Sequence, residues 1–269
     1  HRDSEALAAL VRLIDEHPEH RLAAQALFLA GSVLRQHGRL AEAVDFYRRY
    51  LEQDDLIAGY VYIESATLLA DMRQSAAAIA SYQAALQTDL PAEYAQAARH
   101  SLARLAAGLT DYEQALQWWR EFEAGARSAT ERAEAAYSIG LIQRQMGDAA
   151  AQATLLALVQ TYPQTWYALQ ALETLLGDGV AVSHIEQGHV YYANRRNEEA
   201  MAAYRRYLSA YPDDEQAGLA RYRLALLQQR LGNDEQAIIE LDQVHSLYPN
   251  EAFVRQAWLE VARALLRLG

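Results

Sequence analysis

With 269 residues, 52% of them hydrophobic, the chain can bury a large core. Its 35 acidic against 24 basic side chains leave a net charge of −11, which argues against nucleic acid, whose phosphates are held by a basic face. Every basic residue is an arginine, and the lack of cysteine excludes disulfides, thiolate zinc sites and cysteine nucleophiles. No apolar run reaches the ~18 residues a membrane span needs and no signal peptide is visible, although an opening on His1 in place of methionine leaves room for a removed leader or tag. Alanine, leucine, glutamine, glutamate and arginine dominate, with only 5 prolines, a composition that favours helix and almost no strand.

In chain order, residues 1–18 read as the second helix of an incomplete repeat. Asp3 to Glu16 form it, with Asp3 or Ser4 as N-cap and Ala6 and Leu10 on its inner face. Residues 21–165 read as four repeats, of which the clearest runs from Leu27 to Asp55. Leu27, Ala30, Gly31 and Leu34 keep one stripe on a first helix. Gly38 ends that helix, and Ala43 and Tyr47, four apart, line a second. Small residues at Gly31 and Ala43 let two backbones approach, and the tyrosine fills the gap between successive pairs. The second-helix signature returns 35 residues on as Ala78/Tyr82 and 37 further as Ala115/Trp119. A looser fourth unit has Gly140, Gly147 and Ala151/Leu155.

The next alanine of this kind, Ala200, lies 49 residues after Ala151, about a dozen more than one repeat. The excess falls in residues 166–182, an inserted helix from Trp166 to Leu176 closed by Gly177-Asp178-Gly179, which is expected to bend or offset the array. Residues 183–250 hold two repeats, with Ala200/Tyr204 and Ala237/Leu241. Residues 251–269 hold a terminal first helix, Val254 to Leu268, with Trp258, Val261, Ala262 and Leu265 in the repeat positions. His17-Pro18, Leu90-Pro91, Tyr162-Pro163, Tyr211-Pro212 and Tyr248-Pro249 close units, since proline just past a helix end stops it. The array thus opens and ends halfway through a repeat, as a piece of a longer protein would. The apolar stripe on its last helix invites end-to-end or dimeric contacts.

The pattern of bulky residue, glycine, turn glycine, alanine and aromatic at Leu27, Gly31, Gly38, Ala43 and Tyr47 resembles the tetratricopeptide repeat, whose period is ~34. The resemblance implies an all-α, right-handed superhelical solenoid of antiparallel helix pairs, one domain over residues 1–269, with first helices lining a concave groove. The groove positions would be Phe28, Arg35, Tyr60, Ile63, His100, Arg104, Tyr137, Arg144, His189, Tyr192, Tyr222 and Arg230. Aromatic rings interleaved with arginines suit extended polymers through stacking and bidentate hydrogen bonds. Equally, such tyrosines pack between repeats. The chaperone-tail mode of the family relies on lysines, and this chain has none.

No catalytic constellation, metal site or cofactor motif stands out. His17 and His20 flank a turn proline, while His184 and His189 lie five apart on one helix and so on different faces. Phosphate-binding glycine loops, HExxH and GxSxG are absent. The carboxylates read as solvated helix surface, for example Asp45 as the i,i+4 partner of Arg49.

A narrower likeness lies in Tyr162 to Tyr207: a Tyr-Pro-x-Thr-x-Tyr-Ala run, a Gly-Val-x-Val turn, Tyr-Tyr-Ala and a Tyr-Arg-Arg-Tyr helix. This is similar to the helical N-terminal region of soluble lytic murein transglycosylases. It implies an extracytoplasmic scaffold that guides peptidoglycan along its concave face toward a catalytic domain marked by Glu-Ser and Gly-Leu-Met-Gln. The one Glu-Ser here, Glu64-Ser65, sits inside a repeat helix without that run, so no catalytic residue carries over. The alternative expectation is a free-standing adaptor whose groove captures a protein segment, helical or extended. A pure spacer is the third.

Overall fold

The computed structural model describes residues 2–269. The described residues form fifteen α-helices and no strand. They fall into two compact units that divide after Ala126. The first unit holds α1 (Arg2–Glu16), α2 (Ala23–Gln36), α3 (Leu40–Gln53), α4 (Ala58–Asp71), α5 (Ser75–Leu86), α6 (Ala92–Gly108) and α7 (Tyr112–Ala124). The second holds α8 (Ala129–Met146), α9 (Ala150–Thr161), α10 (Trp166–Gly177), α11 (His184–Ala193), α12 (Asn197–Ala210), α13 (Ala217–Arg230), α14 (Asp234–Leu247) and α15 (Val254–Leu268). Within each unit, neighbouring helices joined by short turns pack as tetratricopeptide-type pairs: α2/α3, α4/α5 and α6/α7, then α8/α9, α11/α12 and α13/α14. Helix α1 packs on α2, α10 on α9 and α8, and α15 on α14.

One turn design closes every pair. After each first helix a single residue enters the left-handed region: Gly38 (φ 71°), Arg73 (59°), Thr110 (61°), Gly147 (70°), Arg195 (61°) and Gly232 (78°). The next residue (Arg39, Gln74, Asp111, Asp148, Arg196 or Asn233) donates its N–H to the carbonyl five positions back at 2.8–3.0 Å, satisfying an otherwise orphaned helix-end carbonyl. Three of the six left-handed positions carry side chains, each at a cost of about 1–2 kcal/mol, so glycine alone does not reveal this turn in the sequence. Second helices end differently. Tyr162, Tyr211 and Tyr248 are C-caps with extended φ before proline, which disfavours a helical conformation in the residue it follows. Pro91 departs from the expectation: it lies beyond the end of α5 and serves as the N-cap of α6.

The pairs close on small residues from both sides. Ala43, Ala78, Ala115, Ala200 and Ala237 are fully buried and Ala151 nearly so. Opposite them lie the buried Gly31, Ala66, Ala103, Gly140, Gly188 and Ala225. A Cβ on Gly31 would sit 2.5 Å from the Tyr47 ring, one on Gly188 2.5 Å from Tyr204, and one on Gly140 2.6 Å from Leu155, which fixes the register of the fourth unit. The buried phenols find partners on the first helix: Tyr47 with Ser32 at 3.3 Å and Tyr82 with Thr67 at 3.2 Å.

Several expected details are corrected. Asp3 and Ser4 lie inside α1 rather than capping it. Ala6 is exposed, while Leu7, Leu10, Leu13 and Ile14 pack on α2. On α15 the buried stripe is Ala257, Val261 and Ala264, whereas Trp258 is 56% exposed, Leu265 53% exposed and Ala262 exposed. Ala6, Ala262 and Leu265 lie on exposed faces of the two helices, whereas Trp258, though more than half exposed, stacks on His245 of α14 at 3.8 Å. Asp45 pairs with Arg48 at 2.7 Å, while Arg49 turns toward Phe46 and lies 4.0 Å from Asp15. No helix among the described residues is long and apolar enough to cross a membrane.

Gly31→Val is therefore expected to lower stability by about 1–3 kcal/mol through overpacking against Tyr47, read from thermal or urea unfolding. Gly177→Ala, whose Cβ would meet nothing within 4 Å, is expected to be neutral or stabilising by up to about 1 kcal/mol. Equal effects from the two substitutions would refute the close-approach account.

Candidate functional site

The first helices distribute the candidate groove residues unevenly. In the first unit, Phe28 is half-buried, its ring 5.8 Å from that of Tyr47 and 6.3 Å from that of Tyr50. His100 packs between Trp119 and Phe122 at 5.3 and 5.1 Å. Ile63 joins the core around Tyr82 and Leu102. Tyr60 meets Tyr94 edge-on at 4.8 Å, and Arg35 pairs with Glu64 at 2.9 Å across α2 and α4. Arg104 is exposed. These contacts tie most of the row into packing.

In the second unit, Tyr137 packs 6.0 Å from Tyr167. Arg144 makes a two-pronged bond to Asp178 at 2.7 and 2.6 Å, tying α8 to the turn after α10. That bond holds the Asp178 carboxyl below its ordinary value. His189 is half-buried, with Nε2 buried and without a hydrogen-bond partner. Burial first, then the Arg223 guanidinium, push its pKa down to about 4, against a smaller upward pull from Glu186.

Three candidates do converge, together with two residues that the sequence did not mark. On α11, Tyr192 lies under two guanidinium groups of α13: Arg230 at 4.5 Å from the ring centroid and Arg223 at 5.4 Å. Arg230 also donates to the Tyr192 hydroxyl at 3.1 Å, and Arg223 donates to the hydroxyl of buried Tyr204 at 3.1 Å. Beside them Tyr222 stacks on Phe253 at 5.3 Å with nearly parallel rings. The Tyr222 phenol is raised by burial, then by Glu260 and Tyr192. Arg223 was legible only as the residue seven before Arg230, two turns back on one face. Phe253 lies 31 residues from Tyr222, and no local pattern links them.

The electrostatics of this cluster are unusual for so acidic a chain. Among the described residues no carboxylate forms an ion pair with Arg223 or Arg230, whereas Arg221 of the same helix α13 reaches Glu240 of α14 at 3.5 Å. Next to Arg230 a cleft of about 320 Å³ is lined by Arg195, Asn197 and Arg230, and Asn197 Oδ1 is buried there without a partner. Stacking on a phenol holds a guanidinium in place while leaving its remaining N–H groups free to donate. Such an arrangement accepts a planar anion such as a carboxylate. Among the described residues no group of three or more His, Asp or Glu side chains is placed to hold a metal ion.

Residues 4–56 and 168–215 match one tetratricopeptide-repeat model and residues 134–165 and 219–251 match a second, and the chain belongs to the tetratricopeptide repeat family. No curated protein matches it. Among solved structures, a tetratricopeptide repeat protein from Parabacteroides merdae is 14% identical, with 97% of this chain and 92% of that one covered at a TM-score of 0.47. The C-terminal part of a repeat-containing protein from Cytophaga hutchinsonii is 12% identical, covering 95% and 94% at 0.43. YrrB, described as a tetratricopeptide protein with an unusual peptide-binding site, is 17% identical, covering 78% and 96% at 0.34.

Two outcomes follow from the titrating groups. His189 gains no proton until pH nears 4, while an unfolded histidine does so near 6.5. Its contribution to stability is thus complete above 6.5 and lost as pH falls from 6.5 to 4. NMR should give a His189 midpoint near 4, and His189→Gln should flatten that part of the stability profile; a midpoint near 6.5 would contradict the burial. For Asp178 the folded value is depressed, so its pairing stabilises above the ordinary aspartate range near 3.8 and is lost at lower pH. Arg144→Gln should remove that acid-side loss in denaturant titrations, and an unchanged profile would show the pair to be idle.

Proposed function

We propose that this chain is a non-catalytic binding scaffold that captures a protein segment along the first helices α11 and α13, with an acidic residue of the segment seated on Arg223 and Arg230. The observation that carries this reading is the pair of guanidinium groups fixed against Tyr192 with no carboxylate of their own among the described residues. Tyr222 and Phe253 supply an apolar flank for the neighbouring residues of the segment. The chain as a whole, at net −11, repels acidic ligands, so attraction is confined to the cluster. A charge-assisted hydrogen bond contributes about 1.5–3 kcal/mol. Selection from a displayed random-peptide library should therefore enrich sequences containing Asp or Glu. The double variant Arg223→Gln/Arg230→Gln should bind the enriched peptides about ten- to a hundredfold more weakly. Enrichment without acidic residues, or binding indifferent to the double variant, would defeat the reading.

A second reading is favoured by the exposed aromatic rings in and beside the stretch that resembles lytic transglycosylases: Trp166 is 62% exposed and Tyr211 58%. Sugar rings stack on such faces. On this reading the scaffold belongs to an extracytoplasmic cell-wall enzyme and guides peptidoglycan. Co-sedimentation with purified sacculi that weakens on Trp166→Ala would support it, and no retention on sacculi would remove it.

A further inference from the structure

We propose that the acidic group taken by the arginine cluster is a phosphomonoester carried on the captured segment, seated between Arg195 and Arg230 with Arg223 next to them. This rests on the scaffold reading above and names the ligand of the same site. The cluster is not something the packing of first helices demands, as the chain itself demonstrates. Tyr192 stands four residues after the crossing glycine Gly188, as Arg35 does after Gly31. Arg223 and Arg230 stand two before and five after Ala225, the places that Glu64 and Asp71 hold around Ala66. In the first unit these places give an ion pair, Arg35 with Glu64 at 2.9 Å. In the second unit the same places give one aromatic ring and two cations stacked on it, at 4.5 and 5.4 Å. Like charges so placed repel each other, and an anion from outside relieves that repulsion.

A third guanidinium enlarges the surplus. Arg195 lies in the turn between α11 and α12, in the left-handed region, and lines the cleft of about 320 Å³ with Arg230 and Asn197. Its neighbour Arg196 takes both Glu173 and Glu199, whereas among the described residues no carboxylate pairs with Arg195. One guanidinium satisfies a carboxylate, which has two oxygens and a single charge. A phosphomonoester carries about −1.5 to −2 near neutral pH and offers three acceptor oxygens, which suits a set of cations that lack any countercharge. Asn197 adds a second requirement. Its Oδ1 is buried without a partner and needs a donor, which an anion does not supply. A main-chain N–H of the segment beside the phosphorylated residue does supply one, so the cleft fits phosphate borne on a peptide better than phosphate alone.

The test measures fluorescence anisotropy of three pools of short degenerate peptides on the 269-residue chain, alike except for a central phosphoserine, glutamate or serine. The phosphoserine pool should bind at least about tenfold more tightly than the glutamate pool, and the serine pool more weakly than both. Arg195→Gln, whose fold circular dichroism checks, should bring the phosphoserine and glutamate pools to within about threefold of each other. Equal affinity for those two pools in the unsubstituted chain would overturn the proposal. If Arg223→Gln/Arg230→Gln still weakened both pools, the scaffold reading would survive that failure; if it weakened neither, both readings would fall. A phosphoserine preference untouched by Arg195→Gln would also overturn the proposal, as would a pool with two adjacent glutamates that matches phosphoserine. Inorganic phosphate should compete only at concentrations well above the dissociation constant of the phosphoserine pool. Displacement at that concentration itself would overturn a peptide-borne ligand in favour of free phosphate.

Discussion

The close approach of the two helices in each pair is the constraint on which everything else rests. At Gly31, Gly140 and Gly188 the opposing side chain lies where a Cβ would be, and at the other three crossings the corresponding residue is a buried alanine. This nearness lets a single side chain, Tyr47 or Tyr204, fill the space between helices while remaining wholly enclosed. Enclosure in turn obliges each phenol to find a partner. Ser32 and Thr67 answer for Tyr47 and Tyr82, and for Tyr204 the partner is Arg223. The core of one pair thereby positions a guanidinium of the candidate site.

That link explains why the arginine cluster forms in the second unit. Held from below by the Tyr204 hydroxyl and from the side by the Tyr192 ring, Arg223 has its geometry set by packed neighbours rather than by a countercharge. Arg230 shares the same ring. Two other candidate arginines of the first helices are neutralised, Arg35 by Glu64 and Arg144 by Asp178. A guanidinium preorganised on an aromatic face loses little freedom when it meets an anion, and a paired one must first be released.

The turns serve the same economy of backbone. A left-handed residue followed by a bond to the carbonyl five positions back ends every first helix that has a partner, and the second helix begins at once. With connections so short, the helices cannot drift along one another. The small-residue crossings therefore recur at nearly constant spacing, and one broken spacing marks α10.

What the sequence by itself determined was the local and periodic part. The Leu27/Gly31 and Ala43/Tyr47 spacings, repeated at Ala78/Tyr82, Ala115/Trp119, Ala200/Tyr204 and Ala237/Leu241, set the helices, their pairing and the buried face, because a helix places residues four apart on one side whatever its surroundings. Only the tertiary structure decided which candidates remain available to a ligand. Phe28 and His100 pack against their own cores, His189 has its Nε2 buried, and Arg144 is claimed by Asp178 34 positions away. Tyr192, Tyr222 and Arg230 are joined by Arg223 and Phe253. Burial and ion pairing depend on what another segment brings to a side chain, and a repeat pattern that holds equally for every unit does not encode that difference.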